Sequence, residues 1–486
     1  MSLFLLYCTG ILLYRKNVVP MRKDNLITNC GIRTILALAG PTMLEQLMNT
    51  AVQYVDTAMV GSLGTQATAA VGATGTVNWL VSSTISAIGI GFLALIARAC
   101  GEGNLDKAKR ASAQSVLAVL TCGLLFTALT LCLSPYIPVW MQVEQETRTL
   151  ASQYFFILYS PMLFRTATII FGTVLRAAGD TKSPMRIGIL VNGINVILNF
   201  LLIYPTRCVA VGNLQMAIPG AGWGVHGAAV ASAISFMVGG IAMTCVLWRH
   251  PKISPRGKSF RPDGQILRPC LLVAAPNALQ RFGTSFGYVV FASMINSLGD
   301  TATAAHTVAN TVEAAFYIPA YGMQTAAATL AGNALGERNN RKLKMLSRKV
   351  LCIELILMLF SGGMLFLLAP DMVRLFSKDM QVILLGTTVL RMVALSEPFY
   401  GISIIVEGML QGMGRTVFPL VVNLFGMWGI RIVGTFLCTR LLEMGLVAAW
   451  ACMIGHNMLL FLVYGCYYTS GKWNPLRKEE NIKNNA

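Results

Sequence analysis

The chain has 486 residues, 55% of them hydrophobic and 12% charged, with a mean hydropathy of +0.63 and a formal net charge of +18. Apolar runs of roughly 20 residues recur along most of its length, more apolar surface than a water-soluble core buries, so a soluble domain is excluded and an all-α polytopic membrane protein is expected. The positive charge is a topology signal: with the N-terminus placed inside, cytoplasmic segments hold 29 of the 38 Lys and Arg, which leaves no call on a nucleic-acid partner and puts both termini in the cytoplasm of a plasma-membrane protein.

Residues 1–29 are read as an N-terminal segment. Its start, "MSLFLLYCTGILLY", lacks a basic leader and is too short to span, so translation is expected to begin at Met21. At roughly 20 residues per span, twelve transmembrane helices are predicted at 35–60, 68–97, 112–133, 150–175, 185–205, 223–248, 270–298, 302–334, 350–369, 382–411, 417–438 and 444–468. They divide into an N-lobe (30–248), a basic, Pro- and Gly-rich cytoplasmic linker (249–269), a C-lobe (270–470) and a cytoplasmic tail (471–486). The twelve cysteines show no CxxC and no Cys/His metal spacing and read as structural, so no structural metal and no cofactor are expected.

The first span carries the sharpest anomaly. Asp56, in "QYVDTAMVGSLG", is a carboxylate in an apolar run, and a charge at the bilayer centre costs roughly 2.5–3.5 kcal/mol unless it is paired, hydrated or neutralised. At about 100° per residue, Glu45 and Asn49 fall within about 20° of Asp56 around the helix axis and Gln53 about 60° away, giving one polar stripe. The fifth span sets Asn192, Asn195 and Asn199 on one face. A carboxylate with two amide oxygens makes an Na⁺ site, or a pocket in which an aspartate takes up and releases a proton. The competing readings are that Asp56 bridges helices structurally and that the asparagines are interhelical glue. The remaining buried charges suggest pairs: Glu45 with Arg165 in the N-lobe, and Arg281 or Arg431 with Glu397 or Glu407 in the C-lobe, unless a glutamate faces the cleft and attracts cationic substrate. Pro161, Pro319 and Pro398 mark bends.

The halves repeat. Residues 41–110 overlay 276–345 at a constant offset of 235 with 20 of 70 positions identical, and "LRAAGDTKSP" (175–184) overlays "LQGMGRTVFP" (410–419). Six spans per repeat give two six-helix lobes related by a pseudo-two-fold axis along the membrane normal. The partner of Asp56 is Phe291, so the scaffold does not itself require the charge.

"GPTMLEQLMNTAVQYVDTAMVGSLG", "LRAAGDTKSPM" and "NVILN", in this order within repeated six-helix halves, resemble the multidrug and toxic compound extrusion (MATE) family over residues 30–470. The resemblance implies two lobes around a cleft and alternating-access efflux of organic cations or other amphipathic small molecules, by antiport with H⁺ or Na⁺. It implies that Asp56 is the coupling residue, that Asn195 and Asn199 share its site, and that Ser232 adds a hydroxyl. Some members carry an aspartate where this chain has Asn199, so the ion stays open. Thr284 and Tyr400 stand where other members have acidic residues, so no C-lobe cation site is expected. A monomer in the bilayer is expected. The rival within the broader superfamily is a lipid-linked oligosaccharide flippase, for which Arg165, Arg281 and Arg431 would face a pyrophosphate; no HExxH motif, Ser/Lys dyad or Asp-rich pair suggests an enzyme.

Overall fold

A segment in hydrocarbon must close its backbone hydrogen bonds within itself, and among its described residues the computed structural model does so in twelve helical spans. They are α1 (Ile32–Gly61), α2 (Thr65–Gly101), α3 (Leu105–Leu133), α4 in two parts (Gln145–Tyr159 and Met162–Ala177), α5 (Lys182–Leu202), α6 (Gly224–Arg249), α7 (Gly264–Asn296), α8 (Asp300–Gly336), α9 (Asn340–Phe376), α10 in two parts (Met380–Ala394 and Glu397–Gly412), α11 (Val417–Leu441) and α12 (Leu446–Thr469). The structure describes residues 31–141, 143–211 and 214–477; the reading of residues 1–29 lies outside these, as does most of the 471–486 tail. One addition to the all-helical expectation is an antiparallel hairpin of β1 (Pro205–Val211) and β2 (Leu214–Ala221) joining α5 to α6.

Seven spans are apolar enough to cross a membrane on their own, and α4 and α10 pass once their two parts, bent by 51° and 53°, are joined. Pro161 caps the second part of α4 and Pro398 opens the second part of α10, where a missing N–H leaves no hydrogen bond broken. The other three, α1, α7 and α8, have the length but carry polar residues along it, among them Glu45 and Asp56 in α1, Arg281 in α7 and Glu313 in α8. Their low hydropathy is the mark of helices that face protein and a polar cleft rather than lipid.

The repeat is written into the turns. Gly64 and Gly299 both end an "SLG" turn with φ of 111° and 101°. Asn104 and Asn339 both cap the following helix, accepting from the backbone N–H of Lys107 and Lys342 at 3.0 and 2.9 Å. Gly103 at φ 71° is matched by Arg338 at φ 52°, so the second half puts an arginine into the left-handed region where the first has glycine.

The N-lobe core gathers Phe92, Phe155, Tyr159, Phe171 and Leu175; the C-lobe core centres on Leu365, Val389, Leu390 and Trp450. The start of α1 joins the other lobe, with Ile35 and Ala39 packed among C-lobe residues such as Met323 and Leu410. At the face that bears the linker, α2 and α8 cross backbone to backbone: a Cβ on Gly101 would lie 2.1 Å from Asn333 O, and one on Gly336 would lie 2.1 Å from Arg98 O. The linker itself is clasped to α3. Arg110 Nη2 donates to Asp263 at 2.5 Å, Lys258 pairs with Asp106, Gln114 Nε2 donates to Arg261 O at 2.8 Å, and Trp248 stacks on Phe260. Arg110 beside Asp263 and Lys258 beside Asp106 hold both carboxyls below the usual carboxylate range.

Candidate functional site

Because α1 and α5 both lead away from the linker face, they lie side by side in one register, and the polar stripe of α1 is met step for step. Glu45 packs over Gly188, whose Cβ would come within 3.3 Å of it. Asn192 Nδ2 donates to Asn49 Oδ1 at 2.9 Å, and Asn199 Nδ2 donates to Asp56 Oδ1 at 2.6 Å. Each of these pairs is separated by 143 residues. Gln53 is exposed and takes no part in the Asp56 cluster.

Asp56 is half-buried, whereas Asn195 and Asn199 are 6% and 1% exposed. One turn apart on α5, the two asparagines present their amides on the same face. Asn199 Nδ2 also donates to Asn195 Oδ1 at 3.1 Å, and Asn195 Nδ2 donates to Ser232 Oγ on α6 at 3.1 Å. In that arrangement Asn195 Oδ1 faces the Asp56 carboxyl, a contact that an acidic proton on Asp56 would turn into a hydrogen bond. With the Asn195 amide turned over, its Nδ2 donates to both carboxylate oxygens, at 2.9 and 3.1 Å, and its oxygen accepts from Ser232. The turned amide also brings its Nδ2 to 3.1 Å from Asn199 Nδ2, donor against donor, so one contact is gained and another lost. Asn199 Oδ1 is buried without a partner. Among the described residues no Lys or Arg forms an ion pair with Asp56.

The predicted charge pairs are corrected by the fold. Glu45 pairs with Arg176, at 2.5 Å, and not with Arg165. Arg176 lies at the linker end of α4 and meets Glu45 midway along α1, while Arg165 sits about three turns deeper in α4. There its guanidinium donates to Asn78 Oδ1 and, at 2.6 Å, to Ser82 Oγ on α2, and covers the Phe236 ring at 4.7 Å. In the C-lobe, neither Arg281 nor Arg431 forms an ion pair with Glu397, Glu407 or any other carboxylate among the described residues. Arg281 Nε donates to Asn277 Oδ1 one turn back, at 2.9 Å. Arg431 lies over the faces of Tyr288 and Phe291, at 4.6 and 4.2 Å from the ring centres. Glu407 is held by amides instead: Gln280 Nε2 at 2.9 Å, Gln411 Nε2 at 2.8 Å and Asn423 Nδ2 at 3.2 Å. Glu397 is buried, with Oε2 lacking a partner, and Glu354 on α9 is fully buried with neither oxygen partnered.

A cavity of about 120 Å³ opens at the lobe seam, mostly in the C-lobe, against Trp79 from α2 and Gln280, Arg281, Tyr321, Tyr400 and Glu407. Sequence spacing gave no signal for Asn78, Ser82, Gln280 or Asn423 as partners of buried charges, since each acts across a helix interface. Among the described residues no group of three or more His, Cys, Asp or Glu is placed to hold a metal ion.

Comparison with known proteins gives consistent matches along the chain. The MatE family matches residues 41–201 and again 276–437, once per lobe. A probable multidrug resistance protein NorM of Thermotoga maritima is 28% identical over 441 residues, covering 91% of this chain and 93% of the relative. The multidrug resistance protein PmpM of Pseudomonas aeruginosa is 26% identical over 420 residues, covering 82% of each. Among solved structures, an outward-facing multidrug resistance MATE family transporter of the MOP superfamily superposes with a TM-score of 0.84 at 23% identity, covering 92% of this chain and 96% of that one. MATE in complex with MaD3S gives the same TM-score and identity, covering 92% and 97%.

Proposed function

The chain belongs to the MatE family, and from that premise we propose that it is a multidrug exporter that moves organic cations and other amphipathic compounds outward in exchange for H⁺, with Asp56 as the coupling group. The linker face and both termini lie in the cytoplasm on this reading, because the basic loops gather there. The names of the NorM and PmpM relatives support multidrug efflux. The observation that carries the coupling role is the Asp56 environment: a carboxyl in a membrane span that has no ion-pair partner among the described residues, bonded by the Asn199 amide and faced by the Asn195 amide.

A proton arriving at Asp56 removes a negative charge from the α1–α5 seam. Bound substrate and bound proton then favour opposite-facing states of the lobes, which is the differential interaction that antiport needs. Na⁺ is the second reading, favoured by Asn199 Oδ1, a buried acceptor without a partner beside the carboxylate.

The test is transport of rhodamine 123 by purified protein in liposomes under an imposed ΔpH or ΔNa⁺. Efflux should follow ΔpH in the wild type, and Asp56→Asn should abolish the ion-driven component while the protein still elutes as a folded species. Wild-type rates in Asp56→Asn would sink the coupling role, and a response to ΔNa⁺ alone would replace H⁺ with Na⁺.

A further inference from the structure

The two repeats treat the start of their third helix differently at the linker face. In the first, Asp106, Arg110 and Gln114 form a row on α3 that the linker covers, through Lys258 on Asp106, Asp263 on Arg110 and the Arg261 carbonyl on Gln114. At the constant offset of the repeat, Asp106 is answered on α9 by Arg341 and Arg110 by Met345, so neither ion pair has a counterpart there. In its place α9 alone lines a groove of about 550 Å³, with Arg341, Lys344, Met345 and Arg348 along it. Arg341, Lys344 and Arg348 are exposed, and among the described residues no carboxylate pairs with any of them. Glu337, one turn before Arg341, is taken by Lys342 on the buried side of the helix, at 2.6 Å. The general excess of cations at a cytoplasmic face explains their presence but not the loss of the carboxylate that the first repeat keeps at this position.

The same row runs on into the membrane. At about 100° per residue, Arg341, Lys344, Arg348, Leu355 and Leu359 fall within about 60° of arc around α9. Leu355 and Leu359 are exposed, and beside them Ile356 and Phe360 are 68% and 70% exposed. Leu355 lies about 10 Å along the axis from Arg348, the step from a lipid headgroup to its chains. The depth is marked independently: the Tyr468 hydroxyl meets Ser347 Oγ at 2.9 Å, next to Arg348 in sequence, and its ring stacks on Trp473 at 5.0 Å, an aromatic pair of the kind that sits at headgroup level.

We propose that this row on α9 is a binding site for an anionic phospholipid of the leaflet at the linker face, with Arg341, Lys344 and Arg348 on its phosphate and Leu355, Leu359 and Phe360 along its acyl chains. Charge complementarity selects the occupant: a guanidinium fork matches a phosphate, and a cluster of cations beside a lipid-facing apolar row attracts anionic headgroups. The tail beyond Arg477 brings Lys478, Glu479, Glu480 and Lys483, two charges of each sign, and does not match three cations. The site is separate from the Asp56 cluster and from whatever compound the chain exports.

Native mass spectrometry of the purified full-length protein, titrated with dioleoylphosphatidylglycerol and separately with dioleoylphosphatidylcholine, counts bound lipids directly. The wild type should take up the first phosphatidylglycerol roughly ten-fold more tightly than the first phosphatidylcholine, about 1.4 kcal/mol. The combined variant Arg341→Gln, Lys344→Gln, Arg348→Gln should bring that ratio to about one. The charge-matched variant Arg249→Gln, Lys252→Gln, Arg256→Gln, on the linker, should leave it unchanged. The single variant Arg348→Glu, with an unaltered elution profile, should lower the ratio to about three or less, which keeps the test decisive where the combined variant does not fold. Equal binding of the two lipids by the wild type would overturn the site, as would a preference that survives the α9 substitutions or falls equally in both combined variants. Glycerol 3-phosphate displacing bound phosphatidylglycerol as well as the lipid itself does would replace the lipid by a soluble phosphate. A preference shown only by a chain shortened to Arg477 would give the face to the tail instead.

Discussion

Glu45 and Arg176 show what a linear sequence conceals at the scale of single residues. Both lie in helices whose ends were located within a few positions, and both were visible as charges, yet Glu45 was matched to Arg165. The choice between two arginines eleven residues apart on one helix depends on depth and rotational phase against a neighbouring helix, which no intrahelical spacing reports. The Asp56 cluster was legible for the opposite reason: Asn195 and Asn199 are fixed relative to each other by helix geometry alone, and the polar stripe on α1 says which way Asp56 faces. The Glu45–Arg176 pair is 13% and 18% exposed, and removing one partner strands the other among buried neighbours. Arg176→Ala is therefore expected to destabilise by roughly 3 kcal/mol. Glu45→Gln, which keeps a hydrogen-bond acceptor for the guanidinium, should cost less. Thermal unfolding of the detergent-solubilised variants checks the order, and equal effects would mean that the charge on Glu45, rather than packing or the hydrogen bond, carries most of the pair's contribution.

At the scale of elements, hydropathy placed all twelve spans but missed the hairpin between α5 and α6. Seven or eight residues per strand leave too short a pattern to separate from a helix end. It also gave no hint that α11 is wound partly as π-helix, over Phe425–Ile432 and Leu437–Leu441, because winding responds to packing rather than to the apolar pattern. The turns were better recorded, since glycine and asparagine act locally. Where the second half replaces Gly103 by Arg338 in the left-handed region, Arg338→Gly should relieve the strain and raise stability by about 0.5 kcal/mol, and Gly103→Ala should lower it by about 1 kcal/mol. Thermal midpoints that fail to move in opposite directions would show that the two turns are not energetically equivalent. The linker clasp makes a separate pH prediction. Because Asp106 and Asp263 are held below the ordinary carboxylate range, around 3.9, the stability they add is present above that pH and is lost only as pH falls below it. Hydrogen exchange of residues 257–263 should stay constant from pH 7 to about pH 4, after correction for intrinsic rates.

For the whole molecule, the two-lobe plan came from the repeat and the cleft from the family resemblance, whereas the way the lobes meet depends on contacts between distant segments. At the linker face the seam is as tight as two backbones allow, at Gly101 and Gly336. Farther from that face it includes a hydrogen bond from the Tyr54 hydroxyl to Thr311 O at 2.9 Å. Gly336→Leu drives a side chain into the Arg98 carbonyl, so it should hold the lobes apart at the linker face and cut transport to below about a tenth with the fold retained. Tyr54→Phe removes one bond worth about 1 kcal/mol and should alter the rate only a few-fold. Transport in liposomes, with elution profile as the control for folding, separates the two; a freely active Gly336→Leu would mean that the close crossing is not part of the cycle.

Arg431 over Phe291, at the position that answers to Asp56, puts a cation of the chain itself where the N-lobe has its carboxylate. On the antiport reading this leaves one exchangeable ion per cycle, and the electrical balance then depends on the cargo. A monovalent cation traded for one H⁺ moves no net charge, so the membrane voltage neither helps nor hinders it. A zwitterion traded for one H⁺ carries a positive charge inward, and each 100 mV of inside-negative potential adds about 2.3 kcal/mol to its export. The same protein would thus draw on the pH gradient alone for one class of compound and on gradient and voltage together for the other.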